Sequence, residues 1–357
     1  MYRGKTNTHR DAHPAADAEH HPPAKPSPPP PPPSSLTSRH LSPTGRRVTG
    51  TSTSSTRTAT ATAAATARTM LLLTIESVPA WYGENPHIRT GYRPVFAAAA
   101  PCFRSWTYLH NQSGNIYTHL VPGVVAATLG NAALARHLAA RYPAAALADR
   151  AVLHVHLVAC AACFGLSAAY HTLLCHSREL ADLWIRLDYV GISLLIMASF
   201  VPGLYMGFYC EPWLLRGYLG AILVMGAFNS YLSLYGKNES KNWLTLRLLP
   251  FLALGFSAFI PIFHAVLLFP YDQLQKQSGL NYYYLEAVFM LTGVAFLVSR
   301  FPECWLPGRF DIWGCSHQIF HCFVVLGALS HFAGILSGYD YNYTHPRCGL
   351  GHAATEL

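Results

Sequence analysis

From residue 115 onward the chain carries seven apolar stretches, at roughly 115–135, 151–175, 187–209, 213–235, 243–268, 281–300 and 316–338. A helix rises about 1.5 Å per residue, so each stretch is long enough to cross the ~30 Å hydrocarbon layer of a bilayer. Backbone polar groups in hydrocarbon must be satisfied within the segment, and for runs of this length that means helix. The pattern predicts an all-α integral membrane protein, a seven-transmembrane helix bundle. The linkers are short, so successive helices run antiparallel and the two termini lie on opposite sides. Only 12% of the 357 residues are charged, about half the usual share of a soluble domain.

The charge that is present is uneven. Residues 1–70 hold nine Lys/Arg against three acids, which accounts for most of the formal +8. The basic balance therefore belongs to a tail and gives no reason to expect a nucleic-acid partner. Residues 1–69 are low in complexity, with an unbroken proline run from Pro28 to Pro33, and read as a disordered Pro/Thr/Ala-rich tail. Residues 70–112 read as a juxtamembrane amphipathic segment. Its Trp81, Tyr82, Tyr92, Trp106 and Tyr108 suit an interfacial layer, with Arg89, Arg93 and Arg104 at headgroup level. The transmembrane domain is expected over 113–340, followed by a short tail over 341–357. The first 30 residues have no apolar core, so targeting is expected to rest with the first span. Basic residues are more numerous on the N-terminal side of the spans, which predicts a cytosolic N-terminus and an extracytosolic C-terminus.

Polar groups inside such a bundle are costly and point to function. His317 and His321 lie four residues apart at the start of span seven, so both imidazoles share one helix face. His171 lies near the end of span two with Ser167 one turn before it, and Asp188 opens span three. Alternating helix direction puts all of these on the N-terminal side at one depth. Three imidazoles with an open fourth position for water is a recurrent arrangement for Zn²⁺. A nearby carboxylate, here Asp188, is suited to orienting that water or moving its proton, and Ser167 to supporting it with a hydrogen bond. Spacing alone leaves a second reading open, in which each histidine merely bonds a neighbouring helix. His154, His156, His264, His331 and Glu286 are read that way. His119 has the right depth to stand behind the site.

Smaller features are read as follows. The Cys160/Cys163 pair has no second CxxC and reads as buried thiols. Cys210 and Cys348 share the outer side, which allows a disulfide. Asn342-Tyr343-Thr344 is an outer-side glycosylation sequon, whereas those at Asn111 and Asn238 face the cytosol. Phe320, Phe323, Met197 and Phe200 are placed either to line a lipid pocket or simply to pack.

Several longer motifs surround these residues: Asn85-Pro86-His87-Ile88-Arg89-Thr90-Gly91-Tyr92-Arg93, the run from His110 to His119, Ser167 to His171, Leu187 to Ile192, Phe301-Pro302-Glu303, Pro307 to Trp313, and Ser316 to His321. Together they resemble the progestin and adipoQ receptor family, which includes the adiponectin receptors and the haemolysin-III-related proteins, with a fungal-type member as the best fit. The likeness covers about 80–340. It implies zinc held by His171, His317 and His321, roles for Asp188 and Ser167, and an N-terminus inside. Its wider superfamily includes ceramidases. The expected function is zinc-dependent hydrolysis of ceramide-like lipid amides in lipid signalling or metabolism. The rival readings are a receptor with a structural zinc and a zinc-homeostasis protein. The expected partners are a ceramide-like or sterol-related membrane lipid and an extracellular protein ligand. The expected location is the plasma membrane or the endoplasmic reticulum.

Overall fold

The computed structural model describes residues 72–236, 243–345 and 348, with side chains from 248 onward in the fifth span. The tail over 1–69, the sequon at Asn238 and most of 341–357 lie outside the described residues. The described chain is helical, with one isolated backbone bridge between Leu73 and Tyr92.

Seven helices are long and apolar enough to span a membrane: α1 Ser113–Arg141, α2 Leu147–Leu173, α3 Arg178–Gly207, α4 Pro212–Tyr235, α5 Leu248–Leu268, α6 Leu280–Ser299 and α7 Ser316–Thr344. The chain is a multi-pass integral membrane protein. Several spans exceed the length of their apolar run because polar ends continue the helix. α7, for instance, runs past residue 338 through Tyr339-Asp340-Tyr341-Asn342-Tyr343-Thr344. Prolines leave their mark where the ladder cannot tolerate them. α5 breaks at Ser257 and Ala258, four and three residues before Pro261, whose ring has no amide and crowds the carbonyl four residues back. α1 carries Pro122 and then a wide turn over Ala126–Gly130, where the Asn131 side-chain amide donates to the Ala126 carbonyl at 2.6 Å.

Helix α2 packs along α3 and against α1, α6 packs along α7, and α7 closes on α1 and α3. α4 lies on α3, with α5 outside it. A short helix, Tyr271–Ser278, joins α5 to α6 through Gly279. That glycine has φ +69° and sits so close to α7 that a Cβ would fall 2.2 Å from the Gly334 carbonyl oxygen, so no other residue fits there.

On the N-terminal side, residues 72–112 fold into a cap over the helix ends. Phe96 and Ala97 donate backbone hydrogen bonds to Cys175 and His176, in the α2–α3 turn. Asp311 of the α6–α7 loop accepts from the Arg89 and Thr90 amides at 2.9 and 2.8 Å. Arg93, expected at headgroup level, packs inside the protein. It is fully buried, and its guanidinium donates to the His171 and Thr172 carbonyls at 2.7 and 3.0 Å and to Ser105 Oγ at 2.8 Å. The last carbonyls of a helix lack intrahelical partners and carry its negative pole, which is what draws a cation to this end of α2. Tyr82 and Tyr92 are likewise buried, in an apolar cluster that the cap shares with Leu173 and Leu174 at the end of α2 and Ala181 of α3.

The opposite side is tied differently. Tyr142 donates to Asp340, and Tyr205 and Tyr339 donate to Asp149. Cys210, after α3, is disulfide-bonded to Cys348. The sequon at Asn342 is not presented for modification: its amide is buried and donates to the Gln277 and Gly338 carbonyls at 2.6 and 2.7 Å. Cys160 and Cys163 are buried free thiols.

Candidate metal centre

The cap and three helix ends converge on His171, His317 and His321. Each offers a ring nitrogen, and these nitrogens lie within 4.8 Å of one another. Ring centroids are 5.2 Å apart for His171 and His317, 5.1 Å for His171 and His321, and 4.7 Å for His317 and His321. His171 and His321 are buried and His317 is half-buried.

Which nitrogen faces inward is set by what the other one does. His171 Nδ1 lies 2.8 Å from Gln112 Oε1, an oxygen that only accepts, so Nδ1 carries the hydrogen. That leaves the lone pair on Nε2, a buried atom without a protein partner. The same Oε1 also accepts from Asn115 Nδ2 at 2.8 Å, so the one oxygen serves both groups. His321 repeats the device. Its Nδ1 lies 3.2 Å from the Asn115 carbonyl and 3.1 Å from Thr118 Oγ1, so Nε2 again faces the cluster. Imidazoles anchored through one nitrogen and open at the other are what a metal site requires, and this donor set suits Zn²⁺.

The surroundings hold these groups still. The Gln112 backbone N–H donates to His110 Nδ1 at 3.1 Å. Burial, with the Arg93 charge adding to it, pushes His110 down to about 3, so this imidazole stays neutral and can accept. At the start of α7, the buried Glu303 carboxylate accepts from the Ser316 amide at 2.7 Å and from the Ser316 hydroxyl. A carboxylate favours this positive end of the helix, and it fixes the turn that bears His317. Gln318 locks the preceding loop by accepting from the Gly314 amide and donating to the Ile312 carbonyl.

Asp188 and Ser167, the other expected site residues, lie on the facing helices α3 and α2. Asp188 is within electrostatic reach of Ser167, Cys163 and Tyr170 of α2. It is not among the ligand atoms grouped within 4.8 Å. The Ser167 hydroxyl has no partner at hydrogen-bond geometry, so it neighbours Asp188 without a formed bond. His119 stacks on His321 with centroids 3.7 Å apart and rings 4° from parallel, and neither of its nitrogens has a protein partner. Phe320 and Phe323 pack on Gly293 of α6, and Met197 on Gly226 of α4, as ordinary helix contacts.

Sequence reasoning passed over Gln112, Asn115, Arg93 and Glu303. A polar residue at the mouth of a span looks like any helix-end residue until its partner is known. Gln112 supports one testable expectation. Replacing it with alanine frees the His171 ring to turn, so metal affinity should fall about 10–100-fold in a chelator-competition titration. Unchanged affinity would mean that Gln112 does not orient His171.

Residues 107–332 match the sequence profile of the haemolysin-III-related proteins. The chain is 34% identical over 275 residues to the adiponectin receptor protein of Drosophila melanogaster, covering 76% of this chain and 61% of that protein. It is 34% identical over 267 residues to progestin and adipoQ receptor-like protein 1 of Caenorhabditis elegans, covering 74% and 60%. It is 34% identical over 270 residues to the ADIPOR-like receptor IZH2 of Saccharomyces cerevisiae, covering 75% and 84%. The aligned region thus spans about three-fifths of the fly and nematode proteins.

Proposed function

We infer that this chain, which belongs to the haemolysin-III-related family and with it to the adiponectin-receptor group, is a zinc-dependent hydrolase of ceramide-like lipid amides. The observation that carries this reading is the convergence of His171, His317 and His321 with at least two of them anchored through Nδ1. Zinc held there supplies Lewis-acid polarisation of a carbonyl and brings the pKa of a water toward neutrality. Asp188, one helix away, takes the proton of the attacking water and delivers it to the leaving amine. Ser167, beside Asp188 on the neighbouring helix, would donate its open hydroxyl to that carboxylate. Arg93 holds the His171 backbone through its carbonyl, and Gln112 fixes the ring through Nδ1.

A lipid substrate needs a way in from the bilayer, and α5 and α6 offer one. An apolar groove of about 410 Å³ opens there, lined by Leu248, Leu252, Leu291, Val294 and Val298 among others. Its lining suits an acyl chain. Purified protein in detergent–lipid micelles should release sphingoid base from ceramide, and the His321→Ala protein should not. Equal release by both would remove the triad from the reaction, and no release from several lipid amides would exclude the hydrolase.

A second reading has its own observation. His119 stacks on His321 with both nitrogens open; it lies outside the grouped ligand atoms, and only by turning its ring would it supply a fourth imidazole. The chain would then be a receptor with a structural zinc and an extracellular protein ligand; the fly and yeast relatives are called receptors and the nematode one receptor-like. The name of the yeast relative, matched over 84% of its length, favours a fungal-type member. A part in zinc homeostasis is the third reading.

The Cys210–Cys348 disulfide supports the orientation with the C-terminus outside, because disulfides persist in oxidising compartments. Plasma membrane or endoplasmic reticulum both satisfy it. Proteolysis of protein from intact cells should give one peptide pair joined through Cys210 and Cys348 that separates on reduction. Free thiols at both positions would place this side in the cytosol.

A further inference from the structure

Deeper in the bundle, well away from the triad, lies a second set of ionisable side chains. His331 of α7 is ten residues past His321, about 15 Å along the helix. Its Nε2 lies 2.9 Å from the Ser199 carbonyl of α3, and its Nδ1 lies 2.7 Å from Glu286 Oε2 of α6. A carbonyl oxygen only accepts, so Nε2 carries a hydrogen. A neutral imidazole has only that one. Without another proton, the Nδ1 lone pair and a carboxylate oxygen would face each other across 2.7 Å with nothing to share. The contact therefore holds one further proton, whether written as imidazolium and carboxylate or as imidazole and carboxylic acid. Taken up from water, it makes the pair neutral overall, which suits its place inside a membrane.

The groups facing the pair do not supply that proton. From α2, His156 stacks on His331 with centroids 4.7 Å apart. Its Nε2 lies 3.1 Å from the Ala328 carbonyl, and its Nδ1 lies 3.1 Å from Ser199 Oγ, whose hydroxyl can donate to it. It is complete as a neutral ring. Cys160, also of α2, lies beside it at 3.4 Å. From α6, Tyr283 stacks on the other face of His331 at 4.6 Å, and its hydroxyl has no protein partner. α3 offers Ser199 and no charged group. Pro202 lies in the next turn of α3 and removes one amide donor from it.

We propose that Glu286 and His331 form an intramembrane proton-binding site that latches α6 to α7. The only other polar tie between these two helices among the described residues runs from Ser330 Oγ to the Tyr282 carbonyl, at 2.8 Å. When the proton leaves, two acceptors face each other in low dielectric and the latch opens. α6 also forms one wall of the apolar groove beside α5, so proton occupancy sets how firmly that wall is held. None of this depends on zinc or on hydrolysis.

The test uses the full-length protein in lipid nanodiscs, with thermal unfolding followed from about pH 6 to pH 9. The folded pair holds a proton that the unfolded chain releases as pH rises, so wild-type stability should fall toward alkaline pH. A drop in Tm of about 3–6 °C is expected. Glu286→Gln puts a fixed amide N–H against Nδ1, so its profile should lack this drop and its Tm should exceed wild type at the alkaline end. Glu286→Ala should be low throughout. A Glu286→Gln profile that tracks wild type, or one as low as Glu286→Ala at every pH, overturns the proposal. So does a Glu286→Gln protein that fails to fold.

Discussion

The His321→Ala protein should purify almost free of zinc. His321 is buried, its Nδ1 is committed to the Asn115 carbonyl and Thr118, and its Nε2 points at the other two imidazoles. Alanine removes one of three ligands outright. The loss should exceed the ~10–100-fold expected for a supporting partner such as Gln112. A ligand that binds only the folded state stabilises it by mass action. Added zinc should therefore raise the Tm of metal-stripped wild type and leave His321→Ala unmoved. Folding of the variant is checked separately by its elution as a single species in detergent. Zinc retained at the wild-type ratio would mean that the metal sits elsewhere or that His119, stacked on the lost ring, takes its place. The double variant with His119→Ala separates those two outcomes.

Asp188→Asn should do the reverse, keeping zinc and losing turnover. The substitution preserves size and removes the ability to take up a proton. Asp188 is not among the grouped ligand atoms, and Ser167, Cys163 and Tyr170 are within its electrostatic reach. If its part is to move the proton from water to leaving amine, its loss should slow hydrolysis by ~10²-fold or more, with zinc content unchanged. Full activity in Asp188→Asn would end that assignment. Loss of zinc would instead make the carboxylate part of the metal's own support.

The spans were legible because hydrocarbon imposes a length and a polarity that the chain meets seven times. The meeting of His171, His317 and His321 followed from counting helix reversals, since the end of α2 and the start of α7 must share a side. The cap was not legible. Aromatic and basic residues between 72 and 112 have the composition of an interfacial layer. What folds them inward is a set of partners far away in sequence, namely the α2 carbonyls for Arg93 and Asp311 for the Arg89 and Thr90 amides. Glu286 and His331 could have been paired from the sequence. They lie thirteen and fifteen residues from the facing ends of α6 and α7, Ser299 and Ser316, so antiparallel packing puts them at one depth. Counting each from the start of its own span hid this.

The most direct test of the account is the metal's own coordination sphere, read by zinc K-edge X-ray absorption on purified wild-type protein. The account predicts three imidazole nitrogens and one exchangeable oxygen at about 2.0–2.1 Å. Four imidazoles, or sulfur at about 2.3 Å, would show a closed structural site and contradict it.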